Sequence, residues 1–207
     1  MNQASTSPAK QLTSRGKRTR QQLLDAAELV FGEKGFEQSS IAEITQRAEV
    51  ALGTFYVYFE NKHAIFVELV EQLGERLRKT LSVAVKEKTT RLDKERAGFR
   101  AFFEFAGKHR NLYRIVRQAE FVDEPVYLNY YRKLAKAYAR GLEQSMTSGE
   151  LGRFDPEVIA YALMGVADFI GMRFVIWDKP EELDRVVDEV CEFVAHGLLS
   201  PSRRSAK

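Results

Sequence analysis

Cysteine occurs once in 207 residues, at Cys191. That excludes an internal disulfide and any cysteine-rich zinc site, and it suits a reducing compartment. Histidine is nearly as scarce. His63, His109 and His196 offer no Glu-x-x-His pair on facing helices, as a helical di-metal oxidase requires, and Glu192 and His196 stand four apart rather than three. A phosphate-binding glycine motif and a nucleophile elbow are also missing, so the sequence points away from an enzyme and implies no cofactor or metal. No run approaches the roughly 20 apolar residues of a membrane span, and the polar N-terminus lacks the apolar stretch of a signal peptide. The expectation is a cytoplasmic protein without membrane contact. Net charge is only +3, too little to announce a nucleic-acid binder by itself.

What is present is a globular composition, 44% hydrophobic and 29% charged, with helical periodicity throughout. Residues 1–17 read as a disordered arm. Lys10, Arg15, Lys17, Arg18 and Arg20 stand in the first twenty residues with no acid among them. Such an arm before an ordered domain is either a DNA contact or a merely solvated tail. From Arg18 a first helix places Leu23, Ala27, Val30 and Phe31 on one face and stops at Lys34-Gly35-Phe36. Ser40 and Glu43 have capping-box spacing and open a short second helix with Ile41, Ile44 and Ala48 inward. After a turn at Glu49, Val50 and Ala51, "LGTFYVYF" forms a third short helix, which makes a helix-turn-helix. A fourth helix, from Asn61 to about Lys88, carries the stripe Phe66, Val70, Leu73, Leu77 and Leu81 and is the one continuous link expected into a second domain. Everything beyond is helical, with Pro156 and Pro180 opening the last two helices. The predicted fold is all-α, with an arm (1–17), a helix-turn-helix domain (18–61), a helical domain (62–200) and a disordered tail (201–207).

The order "KGF", "SSIAEI", "GTFYVYF" and "NK" resembles the DNA-binding domain of the TetR (tetracycline-repressor) family over about a third of the chain. The resemblance implies a homodimer on double-stranded, (pseudo)palindromic operator DNA and a variable helical domain for a small-molecule effector that relieves repression. It also implies phosphate contacts from Thr54, Tyr56 and Lys62. Val57 and Tyr58 are expected toward the groove, unless Tyr58 packs in the core. Phe55 and Phe59, four apart, should lock the third helix to its neighbours. Ala51, Leu52 and Gly53 form its exposed front, which holds no Arg, Asn or Gln for bidentate base contacts. Readout then leans on thymine-methyl contacts and on the basic arm, Arg15, Lys17 and Arg18. Ser39 and Ser40 are expected to cap the second helix and touch a phosphate. Glu49, Val50 and Ala51 form the turn in which the family commonly has a glycine and then a capping serine, and the loss of both should weaken the third helix.

In the second domain, Ala160, Leu163, Ala167, Ile170 and Gly171, with Leu183, Val186, Val187, Val190 and Val194, are the expected pairing faces of the dimer, an intramolecular core being the alternative. Cys191 and Trp177 are expected only to pack. A ligand cavity is expected among Phe99, Phe102, Phe103, Tyr113, Phe121, Tyr127, Tyr131, Tyr138, Phe169 and Phe174, most of which must be plain core. Cationic stripes accompany it, Arg110, Arg114 and Arg117 on one segment and Arg132 or Lys133, Lys136 and Arg140 on another. They read either as solvated faces or as a clamp for a polyanionic head, as in acyl or aromatic coenzyme A thioesters. A free aromatic or hydrophobic inducer, and a DNA-bound factor that binds another protein and no metabolite, remain the alternatives.

Overall fold

The computed structural model describes residues 13–177 and 183–198. Within them the chain forms α1 (Ser14–Lys34), α2 (Ile41–Arg47), α3 (Leu52–Tyr58), α4 (Lys62–Val85), α5 (Arg91–Lys108), α6 (Leu112–Val122), α7 (Glu124–Thr147), α8 (Pro156–Gly171) and α9 (Leu183–Leu198). Lys10, Pro180 and the expected tail lie outside the described residues.

Local chemistry sets most helix ends. Gly35 closes α1 with φ 84°, donating its amide to the Phe31 carbonyl at 2.9 Å. Ser40 and Glu43 form the expected reciprocal box on α2, with the Glu43 amide on Ser40 Oγ at 3.2 Å and the Ser40 amide on Glu43 Oε2 at 2.9 Å. Asp155 accepts from the Glu157 and Val158 amides ahead of Pro156. The start of α1 differs from expectation. Thr13 accepts from the Gly16 amide at 3.2 Å, so the helix begins four residues before Arg18, and Arg15, Lys17 and Arg18 are exposed on its first turns rather than on a free arm.

One core runs from α1 through α4 into the second half of the chain. Leu23, Phe31, Ile44, Phe55, Phe66 and Leu73 share it with Phe105, Ile115 and Tyr130. A second core lies between α5, α7, α8 and α9. Val186, Val187, Val190 and Val194 are buried in it, as are Ala160, Leu163 and Gly171, so the faces expected to pair two chains pack within one. The reason is that α5 sits against α9, held by Arg96–Asp188 and Arg100–Asp184 ion pairs, and claims the β-branched face. The apolar surface left open is a different one: Val158, Tyr161, Phe169 and Trp177 on and after α8, and Phe193 on α9. Trp177 therefore does not pack as expected, whereas Cys191 does, and burial pushes its thiol up to about 11.

The segment Pro156–Trp177 also corrects the sequence reading, because α8 runs on through a π-helical turn, Met172–Trp177, into 22 residues apolar enough to cross a membrane. Asp168 and Arg173 break the run in sequence but not the helix. Its inward face is part of the second core.

Glu49 is the one non-glycine among the described residues with positive φ, 55°, and Ala51 caps α3 without a side-chain hydrogen bond. A left-handed side chain costs roughly 1 kcal/mol against glycine. Glu49→Gly should therefore raise the thermal unfolding midpoint by about 2–4 °C for a chain of this size. A scan showing no rise would mean that the turn carries no strain.

Candidate DNA interface and ligand cavity

The rings of α3 divide. Phe55 and Phe59 are buried with centroids 5.6 Å apart, and the Arg20 guanidinium, paired to Glu68, lies 4.9 Å from the Phe59 ring. Tyr58 is half-buried against the same core and does not turn fully to the groove side. The free face of the helix is Ala51, Leu52, Gly53, Tyr56 and Val57, with Val57 71% exposed and open space where a Gly53 side chain would stand. Thr54 is half-buried at its edge. This surface offers methyl groups and one phenol, suited to thymine methyls and a phosphate oxygen.

Three residues expected at phosphates have other partners. Ser39 is buried and donates its hydroxyl to the Phe36 carbonyl at 2.7 Å. Ser40 is exposed, but its hydroxyl serves the α2 cap. Lys62 donates to the carbonyls of Phe36 (2.6 Å), Ser39 (2.9 Å) and Glu37 (3.4 Å), above the Phe36 ring. It holds the α1–α2 loop in place, and three acceptors exhaust its three protons. Glu43, gripped first by Lys34 and then by Ser40, has its carboxyl held below the usual range.

Between α4, α5, α6, α7 and α8 lies a cavity of about 610 Å³. Of the expected lining, Phe99, Phe102, Tyr113, Tyr131, Tyr138 and Arg140 face it. The others do not. Phe103 is core, Tyr127 stands behind Tyr131 with ring centroids 5.0 Å apart, Phe174 packs in the π-helical turn, and Phe169 is exposed on the outer face. Arg110 donates to the Val175 and Ile176 carbonyls at 3.0 and 3.2 Å, and Arg114 to the Gly32 carbonyl at 2.8 Å, so this stripe turns away from the cavity except at Arg117. The sequence did not single out Arg78, Lys86, Arg91, Lys94, Glu95, Tyr130 and Asp168, which also line it.

Apolar side chains fill the middle of the cavity wall: Leu81, Phe99, Phe102, Leu134, Leu163 and Met164. At one end Arg91 and Glu95, both buried, pair through Nε–Oε1 at 2.6 Å, and Tyr138 donates its hydroxyl to the other Glu95 oxygen. Burial, and next the Glu95 charge, raise the Tyr138 phenol well above its ordinary range. At the other end Asp168 faces Arg117 at 3.8 Å among Tyr113, Tyr130 and Tyr131, and burial raises its carboxyl despite that cation.

α6 joins the cavity to α1 and the loop that follows it. Tyr113, Val116 and Arg117 line the cavity, while Asn111 Nδ2 reaches the Glu28 carbonyl (3.4 Å) and Gln118 Oε1 accepts the Phe36 amide (2.5 Å). Arg114 adds a bond to the Gly32 carbonyl, which lies in the last turn of α1 and has no partner within the helix. His109–Glu28 at 3.2 Å and His63–Asp123 at 3.0 Å close the two ends of the seam. α4 is thus not the only connection.

Residues 23–69 match the profile of bacterial regulatory proteins of the tetR family. The chain belongs to the TetR family. It is 28% identical over 183 residues to the fatty acid metabolism regulator protein of Bacillus subtilis, covering 86% of this chain and 94% of that one. With the transcriptional activator FasR of Mycolicibacterium smegmatis it shares 25% identity, over 86% and 82% of the two chains. A solved FadR from Bacillus subtilis in complex with stearoyl-CoA superposes with a TM-score of 0.76 at 26% identity, over 86% of this chain and 98% of that one. This TetR-family chain is accordingly a DNA-binding transcriptional regulator with an N-terminal helix-turn-helix and a C-terminal helical domain.

For Lys62 the geometry reverses the sequence expectation. Lys62→Ala should destabilise the protein by about 1–3 kcal/mol in urea unfolding. The slope of log affinity against log salt, on a duplex selected from random sequence, should stay within about half a unit. A slope reduced by about one would put Lys62 on a phosphate after all.

Proposed function

We propose that the protein is a homodimeric, effector-released repressor whose effector is an acyl or aromatic coenzyme A thioester. The observation that carries this reading is the charge of the cavity, where six cations, Arg78, Lys86, Arg91, Lys94, Arg117 and Arg140, stand against two carboxylates around an apolar centre. An acyl chain in the centre and phosphates at the Lys86, Lys94 and Arg140 end satisfy both features. Similarity to a fatty acid regulator, and to a FadR solved with stearoyl-CoA, supports it. Residues 18–61 with the first turns of α1 read the operator, through Ala51, Leu52, Gly53, Tyr56, Val57 and the cations Arg15, Lys17 and Arg18. Residues 62–200 bind effector and partner copy, and the regulator works on DNA in the cytoplasm.

A repressor dimer must hold its recognition helices about one DNA turn, roughly 34 Å, apart. Effector in the cavity pushes on α4 and α6 and changes that separation, and it releases DNA only by as much as it prefers the splayed arrangement. The two copies meet through the exposed aromatic face of α8 and α9, an apolar patch of the kind that monomers seldom leave open.

Two tests follow. Stearoyl-CoA at about 100 times its dissociation constant should stabilise the protein by about 2.7 kcal/mol, roughly 5–10 °C. The pair Lys94→Ala and Arg140→Ala should at least halve that shift, and Arg114→Ala should leave it in place. Equal stabilisation by free stearic acid would replace the thioester with a plain hydrophobic inducer, and none by either would favour a factor without a metabolite. Separately, Phe169→Asp with Phe193→Asp, at side chains 67% and 73% exposed in one chain, should turn the dimer into monomer in light scattering. A double variant that stays dimeric would place the interface elsewhere.

A further inference from the structure

The end of the cavity nearest the DNA-binding helices holds more hydrogen-bond donors than acceptors. Tyr130 is buried in the core shared with α1 and α4, yet its hydroxyl makes no hydrogen bond among the described residues. No fully enclosed side-chain nitrogen or oxygen there lacks a partner, so this hydroxyl opens onto the cavity that the residue lines. Tyr131 lines the same end, also without a hydrogen bond among the described residues. Arg78 reaches it from α4, and among the described residues it has neither an ion pair nor a hydrogen bond. The Tyr130 ring and the Arg78 guanidinium both lie over Gly74, in space that a side chain at that position would occupy. The one acid present, Asp168, already faces Arg117 at 3.8 Å. Two cations against one carboxylate leave one positive charge uncompensated.

An apolar methyl end fits poorly here. Pressed against Arg78 and the two phenols, it would displace their water and supply no acceptor, which is costly for a neutral donor and more so for a guanidinium. A carboxylate supplies the acceptors and the missing charge, and a site built on unpartnered polar groups rejects the analogue without the matching group far more strongly than an apolar pocket rejects an extra methylene. Along α7 the cavity runs from Tyr130 to Gln144, about 21 Å at the helical rise, with cations at both ends and apolar wall between.

We propose that the effector is anionic at both ends: an ω-carboxylated acyl chain, the class of a long-chain dicarboxylic acid or its mono-thioester, whose far carboxylate binds Arg78, Tyr130 and Tyr131. This rests on the acyl-thioester reading for the outer end only. The placement gives the far group direct purchase on α4, through Arg78, at the level where that helix enters the core of the DNA-binding domain.

The test is equilibrium binding and thermal shift on the full-length protein with palmitoyl-CoA, hexadecanedioyl-CoA, palmitic acid and hexadecanedioic acid. Hexadecanedioyl-CoA should bind at least tenfold more tightly than palmitoyl-CoA. Arg78→Met should bring the two within about threefold, Arg78→Lys should keep part of the preference, and Tyr130→Phe should reduce it by at least threefold. Palmitoyl-CoA binding as tightly as the diacid thioester overturns the proposal, as does a preference that survives Arg78→Met. If both thioesters fail while the free diacid outperforms palmitic acid in an Arg78-dependent way, the coenzyme A reading falls and this one stands. Binding by none of the four overturns both.

Discussion

A helix end that cannot satisfy its own carbonyls governs how this molecule is put together. α1 stops at Lys34 because Gly35 turns the chain, and the Gly32 carbonyl, left without a partner in the helix, is taken up by Arg114 from α6, while Asn111 reaches the Glu28 carbonyl one turn earlier. Meeting that demand fixes the first residues of α6 against the DNA-binding helices. The opposite face of the same helix then lies on the cavity, with Tyr113, Val116 and Arg117. An eleven-residue helix therefore belongs to both halves of the protein. Gly32 allows the close approach, since any side chain there would collide with Asn111.

The same division of faces explains what the sequence made legible. Helix ends rest on contacts within a few residues, so Ser40 with Glu43, Lys34 with Gly35, and Asp155 with Pro156 were readable from spacing. The split of Phe55 and Phe59 from Tyr56 follows from helical geometry in a two-turn helix. Which side of α6 or α9 turns inward is decided by distant partners and has no local signature. Arg110, Arg114 and Arg117 form one stripe in sequence, but two reach carbonyls outside the cavity and the third lines it. The valines of α9 carry the pattern of an interface and serve a core, because α5 covers them.

Lysine and arginine side chains illustrate the same limit. Lys62 stands where the family resemblance implies a phosphate contact, yet its ammonium has found three carbonyls in the loop before α2. Backbone carbonyls leave no trace in residue identity, so no reading of side chains could have assigned them. Arg78 is the converse, a cation on the buried stretch of α4 with nothing in sequence to mark it and no charged partner among the described residues.

On the proposed function, filling the cavity moves α4 and α6 and thereby the recognition helices. Electron–electron distance measurement between nitroxides on Glu60→Cys, one per copy of the proposed dimer, reads that movement directly, since the native Cys191 is buried and burial raises its thiol above the ordinary range. One distance distribution is expected without ligand and a distinct, resolved shift with saturating hexadecanedioyl-CoA, smaller in Arg114→Ala despite equal binding. An unchanged distribution with the cavity demonstrably filled would contradict it.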